Sequence, residues 1–229
     1  MDARYWKKYF DKKAVLGKNF YKKSDYGEKE SFLQRYNQIA QILNDIKIPK
    51  DEWILDVGCG VGNYIGLLSN NELKVGVDIS LQALKIAKQR AKSCIFIAGD
   101  ITKLPIANEK ISLVLCIEVL QYLSDSSCKN ALNEIDRILK KGGDLILSTL
   151  NREYILCKLG ILKQRNKVNP QKKSILKHYL EQLGFEIQKE INLPGTVRFT
   201  KFAHSVFNWL HLTPPELLSY SFILWARKY

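Results

Sequence analysis

Asp56, Gly58, Cys59, Gly60 and Gly62 follow directly on the apolar run Trp53-Ile54-Leu55, so an acid and three alternating glycines stand where a buried strand turns. Glycine accepts positive φ and leaves no Cβ between main chain and ligand, which makes such a turn a nucleotide-binding corner. The interval is not G-x-G-x-x-G, whose third glycine falls one residue later, and no Lys-Ser/Thr pair follows as a phosphate loop requires. Carboxylates recur at the ends of later apolar runs: Asp78 after Val75-Gly76-Val77, Asp100 after Ala98-Gly99, and Glu118 after Leu115-Cys116-Ile117. A carboxylate accepts hydrogen bonds from a pair of ribose hydroxyls or from an exocyclic amine, which a basic side chain cannot do. A single acid at a strand end is usually a cap or turn former. Acids at successive strand ends behind a glycine turn together form a specific signal.

The elements that must position these residues follow from hydrophobic pattern. Continuous Ile/Val/Leu runs at 53–57, 73–77, 94–98, 111–117 and 144–149 suit parallel strands buried on both faces. Helices are expected from Glu30 to Asp45, over Asn63–Leu68, over Leu81–Lys92 with Ser80 as N-cap, over 125–140 ending at Gly142-Gly143, and over Leu176–Leu183 closed by Gly184. Strands at Phe185–Ile191 and Tyr220–Arg227 complete the set. Alternation of this kind predicts an α/β fold, doubly wound and Rossmann-like, with helices on both faces of the sheet. In such sheets ligands sit at the carboxyl ends of the strands, near the switch point.

The compressed turn, with its acid two residues before the first glycine, resembles motif I of class I S-adenosylmethionine methyltransferases, and the order of acids matches that family over about residues 50–150. The resemblance implies a seven-stranded sheet, mostly parallel with an antiparallel last strand. It implies Asp56, Gly58, Cys59, Gly60 and Gly62 around the methionine part of S-adenosylmethionine, Asp78 with Ile79 on ribose, Asp100 with Ile101 at adenine, and Cys116 nearby, with S-adenosylhomocysteine as product. Glu118-Val119-Leu120-Gln121-Tyr122-Leu123 is similar to the E-V-L-E-H stretch of small-molecule methyltransferases, and Ser148-Thr149-Leu150-Asn151-Arg152 to a strand end of the ubiquinone-pathway O-methyltransferases. Gln121 and Tyr122 depart from that pattern and remove a carboxylate and an imidazole, which weakens metal-assisted deprotonation; no metal is expected. Glu118 and then Tyr122 are the candidate catalytic residues, and His178, His204 and His211 are possible bases from the C-terminal part.

The 229 residues are read as one domain, with an N-terminal lid at 1–48, a cofactor core at 50–150, and an acceptor-side insertion and last strands at 151–229. No apolar stretch reaches the roughly 18 residues of a membrane span, and the N-terminus lacks a secretory core. Five cysteines without a C-x-x-C pair fit a reducing cytoplasm rather than disulfides or zinc. Net charge is +13, with lysines clustered at 7, 8, 12, 13, 18, 22 and 23 and again between Lys158 and Lys177. That balance is open to an anionic membrane surface, to RNA, or to a lysine-rich composition without function. Aromatics around the acceptor side (Tyr5, Trp6, Tyr9, Phe10, Phe20, Tyr21 and Tyr26, then Val197–Leu212) and the run Tyr154–Lys163 would shape an acceptor pocket or meet a membrane. The expected activity is O-methylation of a small molecule. RNA methylation is the alternative, although no Asn/Asp-Pro-Pro-Tyr/Phe motif follows the fourth strand. A non-catalytic partner subunit of the same fold is the third reading.

Overall fold

Long apolar runs that bury both faces build the centre of the sheet: β1 (Trp53–Val57), β2 (Leu73–Asp78), β3 (Ile95–Ala98), β4 (Ile111–Ile117) and β5 (Leu139–Leu150). The computed structural model describes residues 3–17, 29–68, 73–154, 168–194, 206, 209–210 and 219–229. With β6 (Phe185–Pro194) and β7 (Ser219–Lys228) the sheet has seven strands in the order β3-β2-β1-β4-β5-β7-β6. Neighbours from β3 to β5 are parallel, whereas β7 runs antiparallel to both β5 and β6. The order reverses between β1 and β4, so the carboxyl ends of these strands open a crevice at the switch point.

Among the described residues five helices flank the sheet: α1 (Ala3–Leu16), α2 (Lys29–Asp45), α3 (Leu81–Arg90), α4 (Asp125–Ile138) and α5 (Lys173–Gln182). Alternate residues of each strand feed opposite layers. Leu55, Val57, Val114 and Leu145 pack with Leu132 and Ile135 of α4 and Leu176 and Leu180 of α5. Ile54, Leu113, Leu115 and Ile146 pack with Phe32, Ile39 and Ile42 of α2. Ile39 and Ile42 are wholly buried, each contributing about 1.5–3 kcal/mol. Thus α2, read as part of a lid, is a core layer of the sheet, and α1 does the covering. Ser80 caps α3 as expected, its Oγ accepting from Ala83 N at 3.1 Å.

The helix expected over Leu81–Lys92 ends at Arg90 and that over Leu176–Leu183 runs Lys173–Gln182, and two further departures have a visible cause. Only a 3-10 turn, Ile65–Leu67, forms where a helix over Asn63–Leu68 was expected. Arg90 Nη1 donates to Val61 O at 2.7 Å and to Asn63 Oδ1 at 2.9 Å, engaging the carbonyl that an α-helix would offer to Ile65. Likewise α4 stops at Ile138, and Gly142-Gly143 do not cap it. Glu109 N and Lys110 N donate to the carbonyls of Arg137 and Ile138, pulling Leu139 into extended backbone. Gly142, at φ +76°, lies instead in the irregular start of β5, where the pairing with β4 shifts register. Among the described residues no helix is long and apolar enough to cross a membrane. Most of the aromatic segment Val197–Leu212, the residues 155–163, Phe20, Tyr21, Tyr26, and the lysines at 18, 22 and 23 lie outside the described residues.

Candidate functional site

The glycine turn after β1 has all three alternate glycines at positive φ: +68° at Gly58, +52° at Gly60 and +77° at Gly62. Gly58 N and Cys59 N both donate to Val77 O, at 2.7 and 3.1 Å, which fastens the turn to the end of β2. A Cβ on Gly58 would stand 2.3 Å from Val119 Cγ2, so this position admits no side chain. Gly62 serves packing instead. A Cβ there would press at 3.3 Å on Ala87 of α3.

The turn opens into a cavity of about 180 Å³ lined, among the predicted residues, by Gly58, Cys59, Gly60, Asp78, Ile79, Asp100, Ile101, Glu118 and Tyr122. Three predicted residues stand outside that lining: Asp56, Gly62 and Cys116. Asp56 lies within β1, paired with Gly76 and Leu115 on either side, and is 1% exposed. Its Oδ2 is buried without a hydrogen-bond partner. Burial holds the Asp56 carboxyl well above the usual carboxylate range, and the nearby Asp78 charge adds to the shift. Cys116 points into the core layer beneath α4, and burial pushes its thiol up, so it is an inert packing residue. The Cys59 thiol is likewise raised, first by burial and then by the Asp56 and Asp78 charges.

Asp78 is fixed by main-chain donors. Gly60 N reaches its Oδ2 at 2.7 Å and Ser80 N reaches its Oδ1 at 2.8 Å. Burial raises its pKa against those two hydrogen bonds, which favour the charged form. Asp100, at the end of β3, accepts from Thr102 N at 2.9 Å and Thr102 Oγ1 at 2.8 Å through the same oxygen, Oδ1. Both carboxylates are therefore oriented before any ligand enters, and each retains acceptor capacity, Asp100 through its Oδ2.

Glu118 is held differently. It takes φ +60°, a region costly for a side chain other than glycine and kept only where surroundings over-determine it. Those surroundings are one paired cation and two hydrogen-bond donors. Arg35 Nε lies 3.1 Å from Oε1, Ser148 Oγ donates to Oε1 at 2.9 Å, and Gln121 Nε2 donates to Oε2 at 3.0 Å. Arg35 comes from α2, is 2% exposed, and its Nη2 also donates to Ser221 Oγ of β7 at 3.0 Å. Gln121 in turn accepts from Thr149 Oγ1 and Leu150 N through Oε1. A carboxylate so engaged is a clamp on the segment that carries Val119 and Tyr122.

Above this floor lies α1. Trp6 and Phe10 line the cavity from the lid side and meet Tyr122 edge to face, with ring centroids 4.7 and 5.0 Å apart. Ala14 packs with Val61 and Ala83. The Asp11 carboxylate accepts from Ser80 Oγ at 2.6 Å and Gln82 N at 3.1 Å, latching α1 to α3. His178 lies on α5 against Gln182, outside the cavity, while His204 and His211 lie outside the described residues. Sequence reasoning missed Arg35, Gln121 and Val119. Arg35 carries a faint signal in the sequence, a cation among the apolar residues of α2, and Gln121 shows in the sequence only as a departure from a carboxylate.

Comparison with known proteins gives concordant findings. Residues 55–147 match the family model described as a methyltransferase domain. An uncharacterized protein of Methanocaldococcus jannaschii is 35% identical over 121 residues, covering 53% of this chain and 51% of that protein. The malonyl-[acyl-carrier protein] O-methyltransferase of Hamiltonella defensa is 32% identical over 114 residues, covering 49% of this chain and 42% of that one. The matched segment thus spans about half the length of these curated relatives. The crystal structure of magnesium protoporphyrin IX methyltransferase from Synechocystis PCC 6803 with bound S-adenosylhomocysteine aligns over 100% of both chains with a TM-score of 0.72 at 21% identity, a likeness of fold.

Proposed function

We propose, from a chain whose residues 55–147 are a class I methyltransferase domain, that the protein moves a methyl group from S-adenosylmethionine to a small-molecule acceptor. The observation that carries this reading is the sign of the cavity wall. Among the described residues its charged side chains are Asp78, Asp100 and Glu118, in a chain of net charge +13. Such a wall repels a pyrophosphate and suits a nucleoside bearing a sulfonium and an ammonium group. The orphaned Asp56 Oδ2 behind the turn and the side-chain-free cradle at Gly58 fit the same ligand, because a cation close to Asp56 offsets the cost of its buried charge.

On this reading Gly58 and Gly60 hold the methionine end, Asp78 the ribose and Asp100 with Ile101 the adenine. Bound S-adenosylmethionine would supply an electrophilic methyl carbon. The chain's own contribution is alignment, which governs much of the rate of an in-line displacement. Glu118, clamped by Arg35, Ser148 and Gln121, sets the position of Tyr122, and Tyr122 with Trp6 and Phe10 walls the acceptor side. Rings on that wall select a small, largely apolar acceptor and exclude bulk water. Oxygen is the acceptor atom we assign, supported by the O-methyltransferase among the relatives.

Calorimetry tests the cofactor assignment. S-adenosylmethionine and S-adenosylhomocysteine are expected to bind while ATP and NAD do not, and Asp78→Ala is expected to weaken binding roughly tenfold or more by removing charge-assisted hydrogen bonds. No heat with either sulfur nucleoside at millimolar concentration rejects the function. Unchanged affinity in Asp78→Ala rejects the ribose assignment.

A further inference from the structure

We propose that the outer face of α1 is a docking surface for an anionic lipid bilayer. The two faces of this helix divide sharply. Trp6 and Ala14 are buried and Phe10 lines the cavity, whereas Arg4, Lys8 and Lys12, one turn apart in succession, stand on the exposed side. Helical spacing places Tyr5, Val15 and Leu16 on that same side, and they are 38%, 63% and 66% exposed. The single acid of α1, Asp11, turns away toward Ser80 and Gln82. Among the described residues the outward stripe of α1 therefore combines Lys8 and Lys12 with exposed aliphatic side chains, and the one acid of the helix is engaged elsewhere.

That combination matches the interface of a charged bilayer, where lysines meet lipid headgroups and aliphatic side chains enter the acyl boundary. It matches a nucleic acid less well. Phosphates would satisfy Lys8 and Lys12 but leave Val15 and Leu16 without a role. The rings that would have to stack on bases are engaged with one another: Tyr5 on Tyr9, Tyr5 and Tyr9 edge-on to Trp6, and Trp6 and Phe10 on Tyr122. Because the inner face of the same helix walls the cavity, a docked α1 places the acceptor entrance at the membrane surface. An apolar acceptor then reaches the site from the bilayer rather than from water.

The test is co-sedimentation of the full chain with vesicles of equal parts phosphatidylserine and phosphatidylcholine, against pure phosphatidylcholine. It reads no methyl transfer, so its outcome is separate from the proposed activity, and S-adenosylhomocysteine calorimetry on each variant shows that the fold is retained. The anionic vesicles are expected to bind at least about tenfold more tightly than the neutral ones. Lys8→Glu/Lys12→Glu and Val15→Ser/Leu16→Ser, all on exposed side chains, are each expected to lower that binding severalfold. Failure to sediment with the anionic vesicles overturns the proposal, as does unchanged binding in either double variant. Binding to polyuridylate that Lys8→Glu/Lys12→Glu abolishes, without binding to vesicles, assigns the stripe to RNA instead.

Discussion

Removing the Glu118 carboxylate should harm the fold more than removing its arginine partner. In Glu118→Ala the Arg35 guanidinium, 2% exposed, keeps its hydrogen bond to Ser221 but loses the Glu118 carboxylate that lies 3.1 Å from Nε. Breaking a buried pair from one side costs about 3–5 kcal/mol. In Arg35→Met the stranded group is Glu118, whose side chain is 12% exposed and still receives Ser148 and Gln121, so the cost falls to about 1–3 kcal/mol. In a domain of this size 1 kcal/mol moves Tm by about 2–4 °C. Glu118→Ala should therefore lower Tm by about 6–20 °C, and Arg35→Met by distinctly less. Scanning calorimetry, backed by urea midpoints at constant m-value, reads both. A Glu118→Ala protein melting within about 2 °C of its parent, or an Arg35→Met protein melting below Glu118→Ala, refutes the clamp. If Glu118 were a general base held only loosely, methyl transfer would vanish while Tm stayed in place.

Gly58→Ala combines φ +68° with a contact at 2.3 Å from Val119 Cγ2, and should cost about 2–4 kcal/mol of stability while weakening S-adenosylhomocysteine binding measured by calorimetry. Asp56 titrates higher in the folded protein than in the unfolded chain, so the folded form binds the proton more tightly. Stability from that proton is present below the unfolded value of about 3.9 and is lost as pH rises toward the raised folded value. Asp56→Asn should accordingly raise the Tm of the ligand-free protein at neutral pH and flatten its fall above pH ~4; parallel Tm–pH curves for the two proteins would contradict the buried-carboxyl reading. Tyr122→Ala removes the edge-to-face contacts to Trp6 and Phe10 and should shift Trp6 emission to the red as the lid loosens, with a loss of about 1–3 kcal/mol. An unshifted spectrum would show that the Asp11 latch and Ala14 packing hold α1 without the Tyr122 contacts.

The parts of the site legible in the sequence are those carried by local spacing. The glycine turn, Asp78, Asp100 and Glu118 each sit at a strand end, and a strand end is readable from the apolar run before it. What spacing does not carry is which way a side chain faces. Asp56 and Gly58 belong to one motif, yet Asp56 is still held inside β1 with its carboxyl buried, while Gly58, at φ +68°, has left the strand and lies in the cavity wall. Nor does spacing reveal partners distant in the chain. Arg35 reads as one polar residue of an amphipathic helix until the fold lays α2 beside Glu118. Gln121, which looked like a departure from a catalytic pattern, joins Glu118 to Thr149 and Leu150 through three hydrogen bonds. The unformed helix after Gly62 and the early end of α4 have the same origin, because carbonyls expected inside a helix are taken by Arg90, Glu109 and Lys110 from elsewhere.

The antiparallel strand β7, slotted between β5 and β6, has a consequence for biosynthesis. It is the seventh strand in chain order, and it brings Ser221 to the guanidinium of a residue made far earlier, on the second helix. A ribosome extending the chain thus releases β1 to β5 as a sheet whose far side lacks its penultimate member. The seat of Arg35, and with it the grip on Glu118, closes only when residues 219–228 emerge. Assembly of the crevice is in this way deferred until residues 219–228 have been made.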